Sequence, residues 1–244
     1  MVDIIFVCYN NKDDVRRCFS SLENHTENFK NVIVIDNNSN EETIAALLKH
    51  RDILKKGKFI LHRNDKNFGY AKALNQGIEL SRSTFLVFAN FDIEFTQNWL
   101  PPLMEQLKNE EVAFVGGKIY DARRRLYSCG IGGSEEKRYH RGCRKKDRGQ
   151  FDRIEEVISV SGALFAARRD VFNRIGFFDE NFFLYFEETE MHIRARRAGY
   201  KIMYTPNSKI IHYLGKSPKQ KGEVKKWFEE SERYFNKKLG FDKG

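Results

Sequence analysis

Three carboxylates arrive together at the end of an apolar run: Phe182-Phe183-Leu184-Tyr185-Phe186 leads directly into Glu187-Glu188-Thr189-Glu190. An ionised carboxylate in apolar surroundings carries a large desolvation cost and usually meets a cation, a proton donor or a substrate hydroxyl there. Desolvation also raises carboxylate basicity, the property that a base acting on a hydroxyl needs. The same residues suit a helix start, because acids favour the first turn and residues 191–198 continue in a helix-compatible pattern. Elsewhere, Asn90-Phe91-Asp92 follows the apolar segment 85–88 and places an amide and a carboxylate where a strand ends, with Phe91 on the opposite face. Oxygen ligands of this kind suit a hard divalent cation that takes its remaining ligands from phosphate and water. His212 closes a later apolar run between Ile211 and Tyr213, either as a further ligand or as a satisfied core histidine.

The elements that must position these groups follow from periodicity. Residues 3–8 and 31–35 are continuous apolar runs of the kind found in buried parallel strands, and Val15, Cys18, Phe19 and Leu22 recur between them at helical spacing. Helix 44–48 with strand 58–62, and helix 69–80 with strand 84–89, extend the β-α-β pattern into an open parallel sheet wound with helices. Ligands in such sheets bind beyond the strand C-termini. There lie Tyr9-Asn10-Asn11, Asp36-Asn37-Asn38-Ser39, residues 64–67 and Asn90-Phe91-Asp92. Singly these are ordinary turn residues; in a row they form one site. Further on the sequence predicts a helix over 94–108, strands at 112–120 and 157–160, a helix at 169–175 and strands at 201–205 and 209–212. A basic amphipathic helix at 222–239 carries Val224, Trp227, Phe228, Tyr234 and Phe235.

The chain has 244 residues and is 41% hydrophobic, enough for one globular domain or two closely packed halves. No run approaches a membrane span, the first residues enter a strand without a signal-peptide pattern, and the expected compartment is the cytoplasm. The four cysteines are widely separated, without a zinc-type pair or a disulfide framework. The net charge of +9 is uneven, since residues 118–153 hold twelve Lys/Arg against five Asp/Glu and residues 216–244 hold nine against five. Such patches suit an anionic membrane surface or a phosphorylated substrate; nucleic acid is not expected, for want of a recognised module or regular stacking aromatics.

In order and spacing, these motifs resemble family 2 glycosyltransferases of the GT-A fold, in particular the rhamnosyltransferase-like branch. The match runs from residue 3 to about 235 through residues 7–10, 34–39, Asn67-Phe68-Gly69-Tyr70-Ala71 with Asn75-Gln76-Gly77, Asn90-Phe91-Asp92, Ser161-Gly162-Ala163, residues 176–180, 182–190 with Arg194, 197–200 and 206–212. The resemblance implies a Rossmann-like, mostly parallel sheet with a smaller mixed α/β acceptor side. Residues 1–92 would form the nucleotide-sugar half, 93–215 the acceptor and catalytic half, and 216–244 a basic C-terminal helix. It implies transfer with inversion from a UDP- or dTDP-sugar, assisted by Mg²⁺ or Mn²⁺, to a glycan or lipid-linked acceptor in surface polysaccharide synthesis, with peripheral contact at the inner membrane face.

Residue by residue, the resemblance places the donor against Tyr9, Asn10, Asp36, Asn67, Gly69, Asn75 and Asn90, and the metal on Asp92 and His212. Gly69 also opens a helix whose N-terminus favours negative charge. Glu188 becomes the base, and Gly162, Asp179, Glu187 and Glu190 fall on the acceptor side. This chain departs from the family pattern at Asn90, where Asp is frequent, and at Glu188 and Glu190, where Asp is usual. The competing reading is a glycan- or nucleotide-binding module whose site has lost its chemistry.

Overall fold

A computed structural model of the chain describes residues 1–214 and 221–241; of the basic C-terminal segment, residues 216–220 and 242–244 lie outside the described residues. Three β-α units and a fourth strand come first. Strand β1 (Val2–Cys8), helix α1 (Lys12–His25), β2 (Asn31–Asp36), α2 (Glu41–His50), β3 (Lys58–Arg63), α3 (Tyr70–Leu80) and β4 (Phe85–Ala89) follow one another as the apolar runs predict. Alternation divides the core in two: Ile4 and Phe6 of β1 pack on the α1 side of the sheet, while Ile5 and Val7 pack on the α3 side.

The segment expected as one helix over 94–108 is instead a short strand β5 (Ile93–Phe95) and helix α4 (Leu100–Leu107). The alternation Ile93-Glu94-Phe95 buries its outer two side chains and pairs β5 with a later strand. Next come β6 (Val112–Asp121), β7 (Leu126–Ser128), a small hairpin of β8 (Ile131–Gly133) and β9 (Arg138–His140), and β10 (Glu155–Glu156). The strand expected at 157–160 shrinks to one bridge between Ser159 and Ile131. Backbone bonds from Val157 N–H to Ile202 O and from Ile158 N–H to Ile131 O hold that segment, and the ring of His192 adds a tie, meeting Ser159 Oγ at 2.8 Å through Nδ1. Burial drops the pKa of His192 to about 3, so it stays neutral among Phe114 and Phe165.

Strand β11 (Leu164–Arg168) leads into helix α5 (Arg169–Ile175), then α6 (Glu187–Arg197), β12 (Lys201–His212) and α7 (Lys221–Leu239). The two strands expected at 201–205 and 209–212 are one strand whose pairing with β6 shifts between Thr205 and Lys209. In the main sheet the order is β10-β12-β6-β11-β4-β1-β2-β3. The strands from β3 to β4 are parallel, and β11 enters reversed between β4 and β6, placing Phe165 opposite Phe88 with their rings 4.8 Å apart.

The basic stretch over 118–153 is partly consumed inside the fold. Lys118 is buried and bridges Asp147 and Asp152 at 2.8 and 2.5 Å, while Tyr120 donates to Asp147. Helix α7 also has internal work. Its apolar face covers the 182–186 segment through Phe182–Tyr234 and Phe183–Trp227, both at 4.9 Å, and Phe186–Phe235 at 5.2 Å. Ser231 donates to the carbonyl of Leu184, and Lys238 reaches both Asp179 and Glu190.

Asp179 is therefore a fastener between α7 and the sheet. Burial raises its pKa, but hydrogen bonds from Lys238, Asn181 and Tyr234 more than offset this and hold it at about 2. A carboxyl depressed in the folded state stabilises above its unfolded pKa and loses that contribution as pH falls through the folded value. Asp179→Asn is expected to destabilise the fold by about 1–3 kcal/mol at neutral pH. Denaturant melts at pH 7 and at pH 2–3 check this, and the gap from wild type should shrink at the acid end.

Candidate active site

A single cavity of about 550 Å³ opens at the C-terminal ends of β1, β2 and β4 and runs toward α6 and α7. Ten of the residues singled out from the sequence line it: Tyr9, Asn10, Asn67, Gly69, Asn90, Asp92, Gly162, Glu187, Glu188 and His212. Four do not. Asp36 is fully buried behind the wall, where its carboxylate accepts from Ser39 N–H and pairs with Arg63. Asn75, expected on the donor side, lies off the cavity: its amide donates to the carbonyl of Phe178 and to Glu180, and its oxygen accepts from Phe178 N–H. Asp179 and Glu190, expected on the acceptor side, are likewise engaged, the first as described and the second with Arg194 and Lys238. Each is a structural lock.

The end of the cavity nearest β1 and β2 is built from neutral amides. Asn64 and Gln76 exchange reciprocal side-chain hydrogen bonds at 2.9 and 2.8 Å, Asn64 also donates to Asn37, and Asn37 donates to the carbonyl of Gly69. Gly69 occupies φ +88°, and a Cβ there would lie 2.7 Å from the carbonyl oxygen of Phe183. That carbonyl accepts the first free N–H of α3, from Tyr70, at 2.7 Å. The loop before α3 and the segment before the acids are thereby fastened together.

At the centre, Asn90 and Asp92 emerge between β4 and β5. The amide N–H of Asn90 donates to Ala163 O, which sets the Ser161-Gly162-Ala163 turn directly beside it. The buried hydroxyl of Tyr70 donates to Asn90 Oδ1 at 2.9 Å. Burial, then Glu187, Glu188 and Asp92, push the Tyr70 pKa well up, so the hydroxyl remains a donor. With Oδ1 accepting from Tyr70, the Asn90 amide is oriented so that its N–H groups remain as donors suited to an anionic or hydroxyl oxygen. Asp92 Oδ1 and His212 Nε2 lie 3.1 Å apart, brought together because β12 pairs with β5 at His212 and Ile93. No group of three or more acidic, histidine or cysteine side chains able to hold a metal occurs among the described residues. Asp92 and His212 nevertheless fit a divalent ion that arrives with a diphosphate, since they bring a hard oxygen and an imidazole nitrogen to one point of the wall.

Opposite them, Tyr185 and Phe186 take the left-handed conformation at φ 75° and 69°. For non-glycine residues such backbone costs about 1–2 kcal/mol each. This turn starts α6 abruptly, so the acidic run is a helix start as its pattern allows, and Glu187 and Glu188 of that first turn also line the cavity. Burial and the adjacent Glu188 charge raise the Glu187 pKa well above the carboxylate range, and its Oε2 meets no donor among the described residues. Burial also raises Glu188, although N–H groups of Glu188, Thr189 and Gly162 and a hydrogen bond from Glu187 stabilise its charge. Burial raises both, so the two carboxyls titrate as one acid pair. Gly162 matters for approach: a Cβ there would stand 3.1 Å from the Glu188 carboxyl.

Several lining residues escaped sequence reasoning. Tyr127 and His140 come from the Gly/Arg-rich stretch, with Tyr127 edge-on to His212 at 5.1 Å and its own pKa raised to about 12 by burial and by Glu188. Glu223 and Trp227 come from α7, whose amphipathic pattern marks an apolar face without saying what it covers. Gly69→Ala should destabilise the protein by about 1–3 kcal/mol through strain at positive φ, and more through the Phe183 contact. Thermal melts and nucleotide calorimetry check this, with weakened nucleotide binding the expected companion.

Comparison with known proteins gives the same outline. The family model described as "Glycosyl transferase family 2" matches residues 3–176. The O-antigen biosynthesis protein RfbC of Myxococcus xanthus is 26% identical over 222 residues, which cover 87% of this chain and 17% of that protein. The N-acetylglucosaminyl-diphospho-decaprenol L-rhamnosyltransferase of Mycobacterium tuberculosis is 22% identical, over 89% of this chain and 77% of that one. A crystal structure of GalNAc-T7 with UDP, GalNAc and Mn²⁺ superposes with a TM-score of 0.71 at 19% identity, covering 97% of this chain and 49% of that one. The chain spans less than two thirds of the myxococcal relative and of GalNAc-T7, and its architecture is the GT-A fold. On the family match and this fold, the chain belongs to glycosyl transferase family 2.

Proposed function

We propose that the protein is an inverting glycosyltransferase that moves a hexose from a nucleotide-sugar to a hydroxyl of a glycan or lipid-linked acceptor, in surface polysaccharide synthesis. The observation that carries this reading is one cavity lined by both an acid pair, Glu187 and Glu188, and the adjacent Asp92 and His212. The nucleotide lies toward Tyr9, Asn10 and Asn67, and the diphosphate lies toward Asn90, Asp92 and His212. Asp92 and His212 would hold Mg²⁺ or Mn²⁺, which when bound offsets charge on the leaving nucleoside diphosphate. Support comes from the solved relative that contains UDP and Mn²⁺, and from the mycobacterial relative, whose name specifies a decaprenol-linked substrate.

Glu188 takes the proton of the acceptor hydroxyl as its oxygen bonds to the anomeric carbon, and the bond to the diphosphate breaks on the opposite face. Glu187 keeps its own proton and donates to Glu188, which holds that carboxylate in place. Tyr70 fixes Asn90 so that its N–H groups meet donor oxygens. A binding module without chemistry has no use for two strained residues and a buried acid pair. No helix among the described residues is long and apolar enough to cross a membrane. The proposed place of action is the cytoplasm, with the exposed basic side chains of α7 and of the 118–153 stretch available to the inner membrane face.

Glu188→Gln should lower transfer by at least about 10²-fold while nucleotide affinity stays within about twofold, as measured by nucleotide release and calorimetry. Unchanged transfer would remove Glu188 from its role. Because Glu188 must be ionised and its pKa is raised, the rate should rise with pH through a midpoint above the ordinary carboxylate value. A rate profile flat from pH 4 to pH 8 would contradict the assignment.

A further inference from the structure

Two residues of the cavity wall have no part in the chemistry above. Glu223 and Trp227 stand one turn apart on α7, so both project from the same face of the helix, and both line the cavity. The indole packs at 43° to the ring of Phe183, with centroids 4.9 Å apart. The Glu223 side chain is exposed, and no hydrogen bond or ion pair with other described residues engages its carboxylate. The other tryptophan, Trp99, is fully buried in the core with its N–H donating to Thr26. Trp227 is therefore the single tryptophan of the chain that touches the cavity.

An aromatic face with a carboxylate beside it is the chemistry that recognises a pyranose. The ring's axial C–H bonds carry slight positive charge and pack on the negative π face, while a carboxylate accepts from the adjacent hydroxyls. We propose that Trp227 and Glu223 form the subsite for a sugar ring of the acceptor. This rests on the glycosyltransferase reading and names the substrate class for one wall of the site. The connectivity favours acceptor over donor. Trp227 packs on Phe183 and Ser231 is bonded to Leu184, so α7 is fixed to the short segment that ends at Glu187 and Glu188. The acceptor hydroxyl must lie against Glu188, and a sugar seated on Trp227 is held by the same rigid piece as its base. The donor nucleotide has the amide-lined end, built on β1, β2 and the loop before α3.

Because only Trp227 touches the cavity, its emission reports the subsite directly. The protein would be titrated with methyl glycosides of rhamnose, galactose, glucose and N-acetylglucosamine, with and without UDP and Mn²⁺. At least one glycoside should give a saturable change in tryptophan emission that vanishes in Trp227→Phe and is weakened about tenfold in Glu223→Ala. Glu223 is exposed, so its replacement leaves the fold intact. Absence of a response to every glycoside at its solubility limit overturns the proposal, as does an unchanged affinity in Glu223→Ala. A response confined to nucleotide-sugars also overturns it, because the indole would then belong to the donor. This binding readout is independent of turnover: a wild-type protein that binds glycosides but transfers no sugar refutes the glycosyltransferase reading and leaves the sugar subsite standing.

Discussion

The reversed strand β11 is the constraint on which the site depends. In a sheet of purely parallel strands, the chain entering each strand begins at the end remote from the site. Here β11 starts where β4 finishes, with Leu164 opposite Ala89, and the turn before it lies beside the strand end that carries Asn90 and Asp92. Gly162 is the second link, since its bare backbone allows the Glu188 carboxyl to close on the turn. The inverted β11 thus sets the turn that Glu188 approaches beside the strand end that carries Asn90 and Asp92. The cross-strand stacking of Phe88 on Phe165 secures that register, because a slip of one residue would send every β11 side chain to the other face.

Three kinds of wall meet there. The amide network of Asn37, Asn64 and Gln76 is uncharged and mutually satisfied, so it shapes a pocket without competing for a ligand's charge. The central wall carries acid, imidazole and phenol groups in proximity, with burial setting which of them keep protons. The third wall is an aromatic helix face. At the junction of the last two, Tyr185 and Phe186 carry left-handed backbone, and their packing against Phe228 and Phe235 offsets its cost.

The parallel strands were legible in the sequence because continuous apolar runs such as residues 31–35 have few other stable fates. Strand β11 was not, since Leu-Phe-Ala-Ala-Arg is short and alanine-rich, and only its neighbours on both sides make it a strand. Residues 157–160 misled in the opposite sense: their apolar pattern is real, but their backbone bonds divide between Ile202 and Ile131 and no continuous ladder forms. The resemblance to a known family identified Asp92 and His212 as partners, which the pairing of β5 with β12 brings within 3.1 Å. Asn75, Asp179 and Glu190 carry suitable chemistry in type, yet each is engaged by groups that sequence spacing does not reveal. Tyr127, His140 and Trp227 reach the cavity only through tertiary packing.

The contacts that make the cavity are nearly all distant along the chain. Asp92 and His212 are separated by 120 residues, Asn75 and Phe178 by 103. Loop-closure entropy makes such contacts late and slow to form, whereas the local β-α units need little of it. The first half of the chain can therefore acquire its strands and helices early, while the cavity is completed only when the chain has come round to β12 and α7. Without α7 most of the sheet could still form, but residues 182–186, the segment leading into Glu187 and Glu188, would lose their aromatic cover.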